Sequence, residues 1–180
     1  MFKTEDARAF FAAWQEIAPK DKIPHYRDIF DRLPSAFFPE LTIMEVRDDG
    51  QFTLRFMGTH LVDTWGQDLT DTDTFSILSP AVARSFRQNA EQILNHPCGM
   101  RSMTVTVNAQ GHQSDVERVL LPVGNDPDRP PRIVCFNSHL PLSDFTSPDG
   151  KILESRDHSW LDIGFGVPAE APAVGAPSAG

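Results

Sequence analysis

The chain has 180 residues, 40% of them hydrophobic and 23% charged, and carries a formal net charge of −9. That suits one domain with extensions: the apolar fraction supports a packed core and excludes wholesale disorder, while no run approaches the roughly 20 apolar residues needed to cross a bilayer. The acidity argues against duplex nucleic acid as a partner, because phosphate neutralisation supplies most non-specific affinity.

From Thr4 to Ala18, the residues Ala7, Phe10, Phe11, Trp14, Ile17 and Ala18 fall on one face of a helix, with Thr4 as N-cap, Glu5 and Asp6 in the first turn and Pro19 as the stop. Rings of this size bury about 150–250 Å2 each, so an isolated helix cannot hide them. The stripe either packs on its own domain or covers a second copy of the chain. A shorter helix or turn is expected from Pro24 to Leu33, ended by Pro34. Leu41 to Arg47 and Gln51 to Met57 read as a β-hairpin through Asp48-Asp49-Gly50, and strict alternation in the second strand places Phe52, Leu54 and Phe56 on one buried face.

Gly58 breaks the strand pattern, Thr59 to Trp65 fits two helical turns, and Gly66 suits their left-handed exit. Ser79-Pro80 then starts a longer helix reaching about Asn95, with Val82, Phe86, Ala90, Ile93 and Leu94 inward. Three further strands follow, Met100 to Asn108, Ser114 to Val123 and Arg132 to Leu140, joined by short loops that imply antiparallel neighbours. The sum is an α+β domain: a five-stranded antiparallel sheet with crossing helices on one face and the amphipathic first helix available for the other. The boundaries expected are a helix and linker over 1–23, the domain over 24–141, an extension over 142–167 that is apolar enough at Trp160 to Phe165 to dock, and an Ala/Pro/Gly-rich disordered tail over 168–180.

This succession of elements resembles a PAS domain, a sensor module of bacterial signalling proteins. The segment Arg55-Phe56-Met57-Gly58-Thr59-His60-Leu61-Val62-Asp63-Thr64-Trp65-Gly66-Gln67-Asp68-Leu69-Thr70 resembles the R-x-x-G-T-x-x-V-x-x-aromatic-G-x-D-L-T pattern of the PAS_5 type, which occurs as stand-alone proteins in alphaproteobacteria. Ile23-Pro24 and Leu33-Pro34 fit its lead-in, and Asp71 stands where that pattern has glycine. Its residues have structural explanations: Gly58 for a sharp exit from the strand, Thr59 as a helix cap, Gly66 as a helix stop. Such a motif identifies a fold without identifying its chemistry.

The resemblance makes the pocket contents the question. Flavin photosensors of the class attack the flavin with a cysteine in the segment matching Thr59 to Leu69, which contains none. Haem sensors need an axial histidine on the long helix, where only His96, at its end, is on offer. The cofactor therefore stays unknown, with flavin and haem both disfavoured. His60, His112 and His139 lack metal-site spacing, so no metal is expected. Ser114-Asp115, Cys98 and Cys135 lack an activating base or a glycine-framed elbow, so no catalytic residue is nominated and the chain is not read as an enzyme. Two cysteines make no disulfide framework, and no basic stretch precedes an apolar leader, so the expected address is the cytoplasm.

A pocket is expected between sheet and crossing helices, lined by Phe56, Trp65, Phe75, Phe86, Met103, Arg118, Cys135 and Asn137. Arg118, between Val116 and Leu120 on one strand face, either escapes at a sheet edge or meets an anion inside. The preferred function is a sensory or regulatory domain acting by protein contact, biased by a small molecule. The alternatives are a binding protein whose pocket chemistry dominates, or a haem sensor. A homodimer or a signalling protein is the expected partner, through Phe10, Phe11, Trp14 and Ile17, with nucleic acid and membrane excluded.

Overall fold

The computed structural model describes residues 1–20, 22–47, 49–127, 129–140 and 152–169. Helix α1 (Glu5–Ile17) begins where expected, with the Thr4 hydroxyl accepting from Ala7 N at 3.2 Å. Helix α2 (Tyr26–Arg32) and a 3-10 turn (Ser35–Glu40) lead into strands β1 (Leu41–Val46) and β2 (Phe52–Met57). Gly50 adopts a φ of 75° in their connection, whose Asp48 lies outside the described residues. Helix α3 (Thr59–Trp65), a 3-10 turn (Thr74–Ile77) and helix α4 (Pro80–Asn95) cross the sheet before β3 (Gly99–Val107), β4 (Gln113–Val123) and β5 (Arg132–His139). Ser79 caps α4 through Val82 N at 3.4 Å, and Gly66 ends α3 at φ 69°, as their sequence positions predict.

The strands form one antiparallel sheet in the order β2-β1-β5-β4-β3-β6. The sixth strand, β6 (Ile152–Leu161), corrects the expected five. Trp160 and Leu161 do dock, as part of an added edge strand whose backbone pairs with β3. Its mixed polar sequence carries no strong strand signal, and its pairing supplies what propensity does not. The expected tail falls almost wholly on residues 170–180, outside those described.

Each face of the sheet carries its own core. Met44, Phe52, Leu54, Leu120, Ile133 and Cys135 meet α3 and α4, with Leu61, Phe86, Ala90 and Ile93 opposite them. Ile43, Val119, Leu121, Val134 and Phe136 on the other face meet α1 and α2. The stripe of α1 is used up here. Phe10, Trp14 and Ile17 are 0%, 1% and 4% exposed, and Phe10 stacks on Phe136 at 4.8 Å between centroids. Phe11 is half-buried against Phe2 at 5.6 Å. This corrects the expectation of a dimer or partner surface at Phe10, Phe11, Trp14 and Ile17: the chain's own sheet covers that face.

The motif region yields two details beyond its sequence reading. Helix α3 has Gly58 as N-cap, with no side-chain cap bond, so Thr59 is its first residue instead of its cap. Gly58 has an ordinary φ of −65°, and its role is close approach. A Cβ there would lie 2.2 Å from the Phe38 carbonyl oxygen and 2.3 Å from that of Pro39, both backbone atoms that no side-chain rotation moves. Gly58→Ala is therefore expected to destabilise the fold by at least about 1–3 kcal/mol, the range for overpacking, read as a lower urea midpoint at unchanged slope. The second detail is Asp71, which adopts a φ of 63°. This is the left-handed conformation that glycine takes freely and Asp tolerates, and its carboxylate meets Arg55 Nη1 at 2.6 Å.

Candidate functional site

A cavity of about 50 Å3 lies between the sheet and the crossing helices. On the scale where one water needs roughly 10–15 Å3, it admits a few water-sized groups. Its floor is Thr42 and Met44 of β1, Leu54 and Met57 of β2, Arg118 of β4, and Cys135 and Asn137 of β5. Its roof is Leu61 and Trp65 of α3 and Phe86 of α4, and the loop between the helices closes the side with Leu69, Thr72, Asp73, Thr74 and Leu78.

Trp65, Phe86, Arg118, Cys135 and Asn137 thus line the cavity as expected from the sequence, whereas Phe56, Phe75 and Met103 do not. Phe56 is displaced by register. β1 pairs Ile43 with Phe56 but Met44 with Leu54, so the ladder passes over Arg55 and the alternation slips by one. Phe56 turns to the α1 and α2 face beside Phe38 at 6.1 Å, and Met57 takes its place in the cavity. Met103 pairs with Glu117, which bonds the start of α1, and so faces that helix; Ser102 shares the cavity face with Arg118. Phe75 packs one layer behind the wall, 4.9 Å from Phe52 and 6.0 Å from Phe86. Thr72, Asp73, Thr74 and Leu78 were missed because they sit in a loop with no periodicity, and Asp73 is the one with a local signal: its carboxylate accepts from Phe75 N at 3.0 Å.

Arg118 dominates the cavity electrostatically. Its strand is flanked on both sides, with Asn137 opposite it on β5 and Ser102 opposite it on β3, so no sheet edge offers an escape. The residue is 8% exposed, it joins no ion pair or hydrogen bond among the described residues, and its Nε is wholly buried without a partner. Burial pushes its guanidinium down from the ordinary value, only partly offset by Cys135. Burial likewise pushes the Cys135 thiol up, against Arg118 and Thr42. His139, beyond Asn137 on β5, is pushed down to about 4 by burial, then by His60 and by Arg118, and is neutral at pH 7. Thr74 Oγ1 is a second wall atom buried without a partner.

The other polar wall groups are engaged. Asn137 Nδ2 donates to Glu40 O at 3.0 Å, and Thr42 Oγ1 to Cys135 O at 3.4 Å. Among the described residues no histidine lines the cavity; His96, at the end of the long helix, is the C-cap of α4. The lining residues therefore do not fit a haem, and with Cys135 on a sheet strand they do not fit the flavin-attacking cysteine arrangement either. No group of three or more His, Cys, Asp or Glu among the described residues stands where it could hold a metal ion.

The opposite face of β4 carries a buried charge network. Glu117, 0% exposed, accepts from Arg101 Nε at 2.6 Å, from Lys3 N at 2.8 Å and from Thr4 N at 2.6 Å. Arg101 also donates to Asp157 O of β6 at 2.8 Å. Burial alone would raise the Glu117 carboxyl, but the bonds from Arg101, Lys3 and Thr4 outweigh it and hold it below its ordinary value. Consecutive residues of one strand thus do different work, Glu117 tying down the start of α1 and Arg118 facing the cavity.

The site is thus a small cavity between an antiparallel sheet and its crossing helices. The family model described as PAS domain matches residues 2–136, and the chain belongs to that PAS_5 family. PAS domains are typically sensory rather than catalytic. No curated protein matches the chain. Among solved structures, it is similar to the Vibrio cholera VqmA–ligand–DNA complex, with 13% identity and a TM-score of 0.47 over 63% of this chain and 49% of that one. The chain thus spans about half the length of that protein. This comparison corrects the exclusion of nucleic acid drawn from net charge, because a protein similar to this chain is found in a complex with DNA. Among the described residues no helix is long and apolar enough to cross a membrane.

Proposed function

We propose that this chain is a cytoplasmic sensory domain whose input is a small molecule in the Arg118 cavity and whose output is a change in protein contact. The observation that carries the reading is the cavity itself, apolar over most of its wall yet holding a buried, unpaired guanidinium and an unpaired Thr74 hydroxyl. Native polar groups this deeply buried are normally satisfied, so two orphans in one cavity favour an occupant. The route outward is short. A ligand at Arg118 acts on β4 one residue from Glu117, which holds the N-terminus of α1 on the opposite face.

Native mass spectrometry of freshly purified protein tests the input. A retained low-mass adduct, released on denaturation, is the expected result. Empty spectra from repeated preparations, together with no thermal shift across a small-metabolite panel, would refute it.

A further inference from the structure

We propose that the cavity takes a short organic monocarboxylate, its anionic head held by Arg118 and its apolar tail lying among Met44, Leu61 and Phe86. The inference rests on the ligand-binding reading above and names the class of ligand. Arginine stays charged in proteins, and its planar fork matches a carboxylate through two parallel hydrogen bonds. A buried guanidinium without a counterion leaves its desolvation uncompensated, and an anion entering the cavity supplies both the charge and the acceptors.

The charge and size of the site narrow the class. Among the described residues Arg118 is the only Lys or Arg lining the cavity, and Asp73 belongs to the same wall. Asp73 repels either anion alike, but Arg118 alone matches the single charge of a monoanion and leaves the second charge of a phosphate dianion unmatched. Met44, Leu61 and Phe86 offer no donor and only a weak thioether acceptor to a second polar end, so the part of the ligand among them is apolar. The volume of about 50 Å3 limits that part to a short chain. Thr74 Oγ1, buried and unpartnered, supplies a further hydrogen bond on the cavity wall.

The test uses the full chain and three compounds: butyrate, its uncharged isostere butyramide, and inorganic phosphate, each titrated calorimetrically into wild type and Arg118→Gln. Binding of butyrate at least about tenfold tighter than of butyramide or phosphate, with that preference lost in Arg118→Gln, is the expected result. The comparison between compounds is made on wild type, so it stands even if the variant folds poorly. Equal binding of butyrate and butyramide overturns the carboxylate while leaving a ligand pocket in place. Phosphate binding as tightly as butyrate overturns the apolar tail. Failure of butyrate, propionate and pentanoate to bind at about 10 mM overturns the inference outright, and native mass spectrometry then shows separately whether another ligand occupies the cavity.

Discussion

Arg118→Met is expected to raise the stability of the ligand-free chain, by about 1–4 kcal/mol, while abolishing ligand binding. Most substitutions at a position 8% exposed in a sheet centre destabilise. This one removes a charge that has no partner and replaces it with an unbranched side chain that can lie against Met44, Leu54 and Leu120 on the same face. Replacing buried ionic groups by apolar residues of similar volume is often neutral or stabilising, and here no partner charge is stranded by the change. Urea denaturation of ligand-free wild type and variant reads the difference as a shift in midpoint at constant slope. A loss of stability would show instead that Arg118 holds the fold together and would remove the functional reading of its burial.

Glu117, its neighbour in sequence, is expected to behave in the opposite way. Glu117→Gln strands the Arg101 guanidinium, whose side chain is 3% exposed, and weakens the acceptor that receives Lys3 N and Thr4 N. Removing one member of a buried pair costs about 3–5 kcal/mol. Asp157, 3.2 Å from Arg101, is more than half exposed and compensates little. The pH dependence has a definite sign. The folded carboxyl lies below its ordinary value of 4.5, so the folded state binds the proton less readily than the unfolded chain. Its stabilisation is therefore fully present above that ordinary value and lost as pH falls through the lowered one. Thermal denaturation should show wild type losing stability more steeply than Glu117→Gln as pH is taken below 4.5. Parallel curves would mean that Glu117 contributes no charge-dependent stabilisation.

The contrast between these neighbours shows which features local sequence can carry. Ser79-Pro80, Gly66 and the Thr4 cap act within a few residues of themselves, so their chemistry is readable along the chain. Phe56 and Met57 are different, because their faces depend on how β2 meets β1, and one residue passed over at Arg55 exchanges them. Met103 is displaced for the same kind of reason, by the pairing of β3 with β4. Arg118 was visible as an anomaly from its apolar neighbours, but its two possible fates separate only when β4 is seen between β3 and β5. Strand β6 was hidden because a mixed polar stretch becomes a strand only beside the partner that pairs it. The α1 stripe announced that it would be covered, and the three-dimensional arrangement identified the chain's own sheet as the cover.

The central claim, that the Arg118 cavity is a ligand site, is tested most directly by a crystal structure of the chain soaked with butyrate at the concentration that saturates it in solution. The account predicts density filling the cavity, with a forked end within hydrogen-bond distance of the Arg118 guanidinium and a tail toward Leu61 and Phe86. A cavity that stays empty, with Arg118 swung onto the Asp73 carboxylate, would contradict it.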